Sequence, residues 1–193
     1  CDGRIVMSQK SFSNPSLPIV CIQGLGFVGA AMAVSVASAR DAKGLPIFNV
    51  YGVDLPNPSG LAAISAINEG RFPRPTTDTK LMLATKLAHE GCNLVATSDE
   101  SVYGFGEIIV CDINLDIIQD KQSPDVDFES FETGIRAIGV NMQPGALVLV
   151  ETTVPPGTCA RVVAPILANE LSCRAVDPDS FLLAHSFERV MPG

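Results

Sequence analysis

Ile19-Val20-Cys21-Ile22-Gln23-Gly24-Leu25-Gly26-Phe27-Val28-Gly29 is the stretch that decides the fold. A short apolar run rich in β-branched residues opens it, as a strand buried on both faces requires. Three glycines follow in G-x-G-x-x-G order, and Ala30 to Ala39 then continues in small, helix-compatible residues. The pattern is strand, tight turn, helix. Gly24 can take the backbone angles of a sharp turn. At Gly26 a missing side chain lets a pyrophosphate approach the main chain, and Gly29 lets the helix pack close to the strand. The helix start offers unpaired N–H groups and a positive dipole end to phosphate. Gly24, Gly26, Phe27, Val28 and Gly29 are therefore candidate cofactor contacts, with a purely structural glycine turn as the plain alternative.

Outward from this turn the chain alternates between strands and helices. Strands are expected at 47–53, 93–97, 107–111, 146–150 and 181–184, separated by helix-period segments such as Leu61, Ile64 and Ile67. A helix is expected from about Thr77 to Glu90, and Asp125 or Asp127 is placed to cap a later one carrying Phe128, Phe131, Ile135 and Ile138 on one face. This implies an α/β fold, a Rossmann-like doubly wound parallel sheet of about six strands with helices on both faces. Residues 1–17 are expected to form a loose lead-in to a domain over 18–193.

The second strand ends in Gly52-Val53-Asp54. Asp54 stands at the spacing where an acidic side chain takes the adenosine ribose hydroxyls, a role that favours NAD over NADP because a carboxylate repels a 2′-phosphate. The alternative is that Asp54 caps the next helix. Arg71, Pro73, Arg74 and Pro75 read as a rigid, solvated surface loop with a lesser prospect of meeting substrate or cofactor. The run Glu151-Thr152-Thr153-Val154-Pro155-Pro156-Gly157-Thr158 follows the fifth strand. Its prolines and threonines can simply start a helix; the functional reading has Thr153 in the crevice, holding water or the nicotinamide side of the cofactor. After the sixth strand, Glu188 is a candidate general base and Arg189 could face an anionic substrate, unless the two form an exposed pair.

Composition bounds the function classes. Of 193 residues 47% are hydrophobic and 18% charged, and the net charge of −8 disfavours a nucleic-acid or anionic-membrane partner. No apolar run reaches the length of a membrane span. The six cysteines form no C-x-x-C pair and read as buried reduced thiols, which suits the cytoplasm. No metal site is expected.

Together the motifs Gly24-Leu25-Gly26-Phe27-Val28-Gly29, Gly52-Val53-Asp54, Ile67-Asn68-Glu69-Gly70, the Glu151 to Thr158 run and Glu188-Arg189-Val190-Met191-Pro192-Gly193 resemble the UDP-glucose/GDP-mannose dehydrogenase family. They are most similar to its branch acting on UDP-N-acetylhexosamines. The resemblance implies an NAD-binding domain of an enzyme that oxidises the sugar's primary alcohol to a uronic acid in two steps, through a cysteine thioester, reducing two NAD. It implies active-site places for Thr153 and Glu188, ribose binding by Asp54, and contact between Arg189, Val190 and Met191 and the UDP-sugar. It also implies that the nucleophilic cysteine and the dimerising segment lie beyond Gly193, so that the chain alone is inactive and its parent a homo-oligomer. Phe187 stands where the family commonly has proline, and Asp112-Ile113-Asn114 replaces a Val-Pro-Thr type turn. Two other readings are an NAD-binding domain of a β-hydroxyacid dehydrogenase and a non-enzymatic NAD-sensing module.

Overall fold

The computed structural model describes residues 12–113, 115–118 and 125–187. Its strands are β1 (Ile19–Gln23), β2 (Asn49–Val53), β3 (Leu94–Thr97), β4 (Ile108–Cys111), β5 (Asp116–Ile118), β6 (Asp125–Asp127), β7 (Leu147–Val150) and β8 (Leu182–His185). The helices are α1 (Phe27–Ala37), α2 (Pro58–Asn68), α3 (Thr79–Glu90), α4 (Glu129–Asn141) and α5 (Ala164–Cys173). Six strands form one sheet in the order β3-β2-β1-β4-β7-β8, each adjacent pair parallel. This is the expected Rossmann-like, doubly wound sheet.

Side-chain alternation along each strand feeds two separate cores. Val20, Ile22, Val50 and Val110 pack with α1 and Ala63, Ile67 and Ala88 on one face. Cys21, Ile109, Cys111, Val148 and Val150 pack with Phe131, Ile135, Ile138, Leu167 and Leu171 on the other. The chain runs from β1 to β2 to β3 in one direction and then returns to β4 on the far side of β1. That reversal splits the loops above β1 and β4 and opens a crevice at their C-terminal ends.

Several expectations are corrected. The described part of the lead-in is packed: Phe12 is buried and lies 4.8 Å from the Tyr51 ring, and the Ser13 hydroxyl donates to the Gly91 carbonyl at 2.8 Å. The N-cap position of α4 does not fall on Asp125 or Asp127. They belong to β6, which pairs antiparallel with β5, and the N-cap position is Phe128, which makes no side-chain cap. The threonine of the proline turn does not cap a helix either, because the Thr158 hydroxyl donates to the Pro155 carbonyl at 2.7 Å. One wide turn, Cys159–Val163, precedes α5. Between β3 and β4 a short 3-10 segment, Glu100–Phe105, replaces a full crossover helix and buries Tyr103 under the crevice.

The cysteines divide. Cys21 and Cys111 are buried in strands, whereas Cys92 and Cys173 are exposed, against the expectation that all are buried. Burial pushes both the Cys21 and Cys111 thiols from an ordinary 9.0 up to about 12. A folded-state pKa raised above the unfolded one contributes stability that is complete below the unfolded value and lost as pH rises through the folded one. Denaturant melts are therefore expected to show stability falling as pH climbs from 9 towards 12. At pH 8, mass spectrometry after brief alkylation should find Cys92 and Cys173 labelled and Cys21 and Cys111 intact. Early labelling of Cys111 would contradict its placement.

Candidate functional site

The three glycines of the first turn do three different steric jobs. Gly24 has φ +89°, and its N–H donates to the Val53 carbonyl at 2.8 Å, tying the turn to the end of β2. A Cβ on Gly24 would strike the Asp112 carbonyl oxygen. A Cβ on Gly29 would strike the Gly24 carbonyl oxygen, so α1 can leave β1 at this angle only without a side chain there. A Cβ on Gly26 meets nothing within 4 Å. No protein atom needs that glycine; the open space in front of it is where a ligand would come close. Gly26 is also the N-cap of α1, which has no side-chain cap and no acidic residue in its first turn. Its leading N–H groups thus stay available to an anion.

The space opens into a cavity of about 600 Å³, within the ~300–1,000 Å³ common for small-molecule sites. Gly24, Gly26, Phe27, Val28 and Asp54 line it, whereas Gly29 sits behind the turn. Asp54 Oδ2 accepts the Leu25 N–H at 3.0 Å and Oδ1 accepts the Leu55 N–H at 2.7 Å. It does not cap α2, because Asn57 does so, accepting the Gly60 N–H at 2.8 Å. A carboxylate held at the rim of the cavity beside the glycine turn is what ribose recognition requires.

The floor of the cavity was not legible beforehand. Gln23, Tyr103, Ile113 and Thr133 contribute to it. Gln23 Nε2 donates to the Gly134 carbonyl at 2.9 Å; its Oε1 and the Tyr103 hydroxyl are both buried, and the Gln23 side chain is the polar neighbour of that hydroxyl. Burial pushes the Tyr103 phenol well above its ordinary pKa, and the thiols of Cys21 and Cys111 and the Glu100 carboxylate add to the shift. Buried polar groups beneath a cavity fit a polar ligand better than an apolar one. Arg74, read as a solvated residue, also lines this cavity; only Arg71 behaves as an exposed, paired surface arginine. The signal for Arg74 was its proline-stiffened loop, which the Phe72–Phe27 edge contact at 5.6 Å holds over the turn.

The second strand end assembles differently. Thr152 is buried, and its hydroxyl donates to the Ile113 carbonyl at 2.8 Å, joining the β7 turn to the β4 turn. Thr153 is exposed and is not part of the cavity lining. Glu188, Arg189, Val190 and Met191 lie outside the described residues. Among the described residues, no cluster of three or more His, Cys, Asp or Glu could hold a metal ion, and no helix is long and apolar enough to cross a membrane.

Residues 19–193 match the UDP-glucose/GDP-mannose dehydrogenase family, NAD binding domain. The chain belongs to this family. The UDP-N-acetyl-D-mannosamine dehydrogenase of Pyrococcus horikoshii is 31% identical over 177 residues, covering 90% of this chain and 37% of that protein. A solved NDP-N-acetyl-D-galactosaminuronic acid dehydrogenase from Methanosarcina mazei Go1 superposes with a TM-score of 0.80 at 28% identity, over 92% of this chain and 36% of that one. For the solved UDP-D-ManNAc dehydrogenase of P. horikoshii the TM-score is 0.73 at 27% identity, over 91% and 37%. This chain therefore spans somewhat over a third of the length of these relatives. NAD is the cofactor of this domain, and the open approach to Gly26 fits its pyrophosphate. The match favours the nucleotide-sugar family over a β-hydroxyacid dehydrogenase.

The two turn glycines are expected to fail in different ways. Gly26→Ala should keep the melting temperature, since its Cβ has room, yet weaken NAD binding at least about tenfold by blocking the phosphate approach. Gly24→Ala should lower stability, by about 1–3 kcal/mol or more, because it combines a positive φ with a backbone collision. Thermal melts and calorimetric titration of both variants check this; an unaltered NAD affinity in Gly26→Ala would remove the pyrophosphate from that place.

Proposed function

We propose that this chain serves as the NAD-binding part of a nucleotide-sugar dehydrogenase, one that oxidises the C6 alcohol of a UDP-hexose or UDP-N-acetylhexosamine to the uronic acid with two NAD. The observation that carries the reading is the glycine turn. Two of its glycines are demanded by the backbone and the third only by whatever occupies the cavity. The names of the relatives, a UDP-N-acetyl-D-mannosamine dehydrogenase and an NDP-N-acetyl-D-galactosaminuronic acid dehydrogenase, support the acetamido-sugar branch. The substrate partner is thus a UDP-sugar; no nucleic-acid or membrane partner is assigned, and we place the enzyme in the cytoplasm as a homo-oligomer.

NAD, when bound, supplies the hydride acceptor. The chain's own residues bind and orient it. Gly26, Phe27 and Val28 offer backbone to the pyrophosphate at the uncapped start of α1, with Gly24 and Gly29 holding that backbone in shape. Asp54 takes the adenosine ribose hydroxyls on a carboxylate already oriented by the Leu25 and Leu55 N–H groups. Thr153 and Glu188 are assigned to the water used in the second oxidation, and Arg189, Val190 and Met191 to the sugar nucleotide. Neither Cys21 nor Cys111 suits the nucleophile, since thiols held near 12 carry almost no thiolate at neutral pH.

Asp54 should make the protein bind NAD more tightly than NADP. Two like charges about 4 Å apart repel by roughly 4 kcal/mol at an intermediate effective dielectric, before salt screening. Calorimetric titration with each cofactor is the measurement, and equal affinities would refute the role. In the complete enzyme, Glu188→Gln should lower kcat by on the order of 10²–10⁴ while melting temperature and NAD affinity hold, the signature of a lost general base. An unchanged kcat would return Glu188 to the solvated surface.

A further inference from the structure

The loop between α2 and α3 carries two arginines in contrasting surroundings. Arg71 is exposed and spends its charge on Glu69, Nη2 to Oε2 at 2.6 Å. Arg74 has no ion-pair partner among the described residues. Arg74 lines the cavity together with Asp54 and Leu55. Nη2 donates to the Leu25 carbonyl at 3.3 Å and Nη1 to the Ser59 hydroxyl at 3.4 Å, both long contacts to neutral acceptors, and Nε is buried without any acceptor. A guanidinium has five N–H donors; two are spent on these neutral acceptors and Nε is buried, which leaves one N–H each on Nη1 and Nη2 unspent.

Leu25 fixes where that cation stands. Its carbonyl accepts from Arg74, and its N–H donates to Asp54 Oδ2 at 3.0 Å. Asp54 and Arg74 therefore hold one residue of the glycine turn from two sides, and both line the cavity, where the reading of Asp54 as the ribose carboxylate puts the adenosine end of the cofactor. An isolated carboxylate there repels a 2′-phosphate, whereas a nearby arginine accommodates one through charge-assisted hydrogen bonds. Two backbone N–H groups already bound to Asp54 offset part of its charge.

We propose that Arg74 is a selectivity-determining residue of this cofactor site, offering its unspent N–H groups to the 2′-phosphate of NADP. The discrimination against NADP is thereby smaller than Asp54 alone would impose. The inference rests on reading the crevice as the dinucleotide site. It differs from a structural role for Arg74 as an anchor of the Leu25 carbonyl, which would affect both cofactors alike.

The test is calorimetric titration of the whole protein with NAD and with NADP, for wild type, Arg74→Ala and Arg74→Lys. In Arg74→Ala the NADP affinity should fall about tenfold, the scale of a lost charge-assisted hydrogen bond, while the NAD affinity changes less than about threefold. Arg74→Lys keeps the charge without the fork and should fall between. Should the alanine variant unfold, Arg74→Gln retains a donor for Leu25 and carries the same expectation. Equal weakening of both cofactors would reduce Arg74 to a turn anchor, and no change in either would make it a bystander; each overturns the proposal. A wild-type protein that binds neither dinucleotide would instead overturn the reading of the crevice, and this inference with it.

Discussion

The approach of α1 to the turn it leaves is the constraint on which the rest depends. Gly29 sits against the Gly24 carbonyl, and Gly24 sits against the Asp112 carbonyl, at distances that leave no room for a Cβ in either case. This double pinch brings the ends of β1 and β4 and the start of α1 to one point. It aims the helix's uncapped N–H groups across the C-terminal edge of the sheet. Parallel strands then put every strand end on that same edge, so the crevice collects polar groups from segments far apart in sequence.

The inner strands of the sheet are packed on both faces, and two buried polar side chains lie under the crevice at this edge. Gln23, the last residue of β1, is a buried amide where the strand pattern would place an aliphatic side chain. Tyr103 places a hydroxyl beside it from the 3-10 segment. Buried polar groups cost stability unless they find partners, so Gln23 and Tyr103 under the cavity suit a polar occupant.

Charge is distributed just as unevenly. The cavity is lined by the carboxylates Asp54, Glu100, Asp112 and Glu129 and by one arginine, Arg74, and Leu25 joins Asp54 to Arg74 through its N–H and its carbonyl. Selectivity at such a site depends on the balance of the two groups, and a single aspartate does not determine it alone. The Phe72–Phe27 contact matters for the same reason, because it holds the loop bearing Arg74 over the turn.

What was legible from sequence was local. The strand-glycine-helix pattern determined the first turn, the different duties of its glycines and the parallel doubly wound sheet, because hydrophobic period and glycine sterics act within a few residues. Asp54 was legible because the length of a βαβ unit fixes its place. The β5–β6 hairpin was missed: its three-residue strands are too short for an alternating pattern, and their aspartates resemble helix caps. The packing of Phe12 on Tyr51, the burial of Tyr103 and the exposure of Cys92 and Cys173 were decided only by tertiary structure. So was the choice between two arginines of one loop. Arg71 pairs with Glu69 two residues away, a local contact, whereas Arg74 reaches Leu25 across 49 residues, a long-range contact that no local pattern encodes.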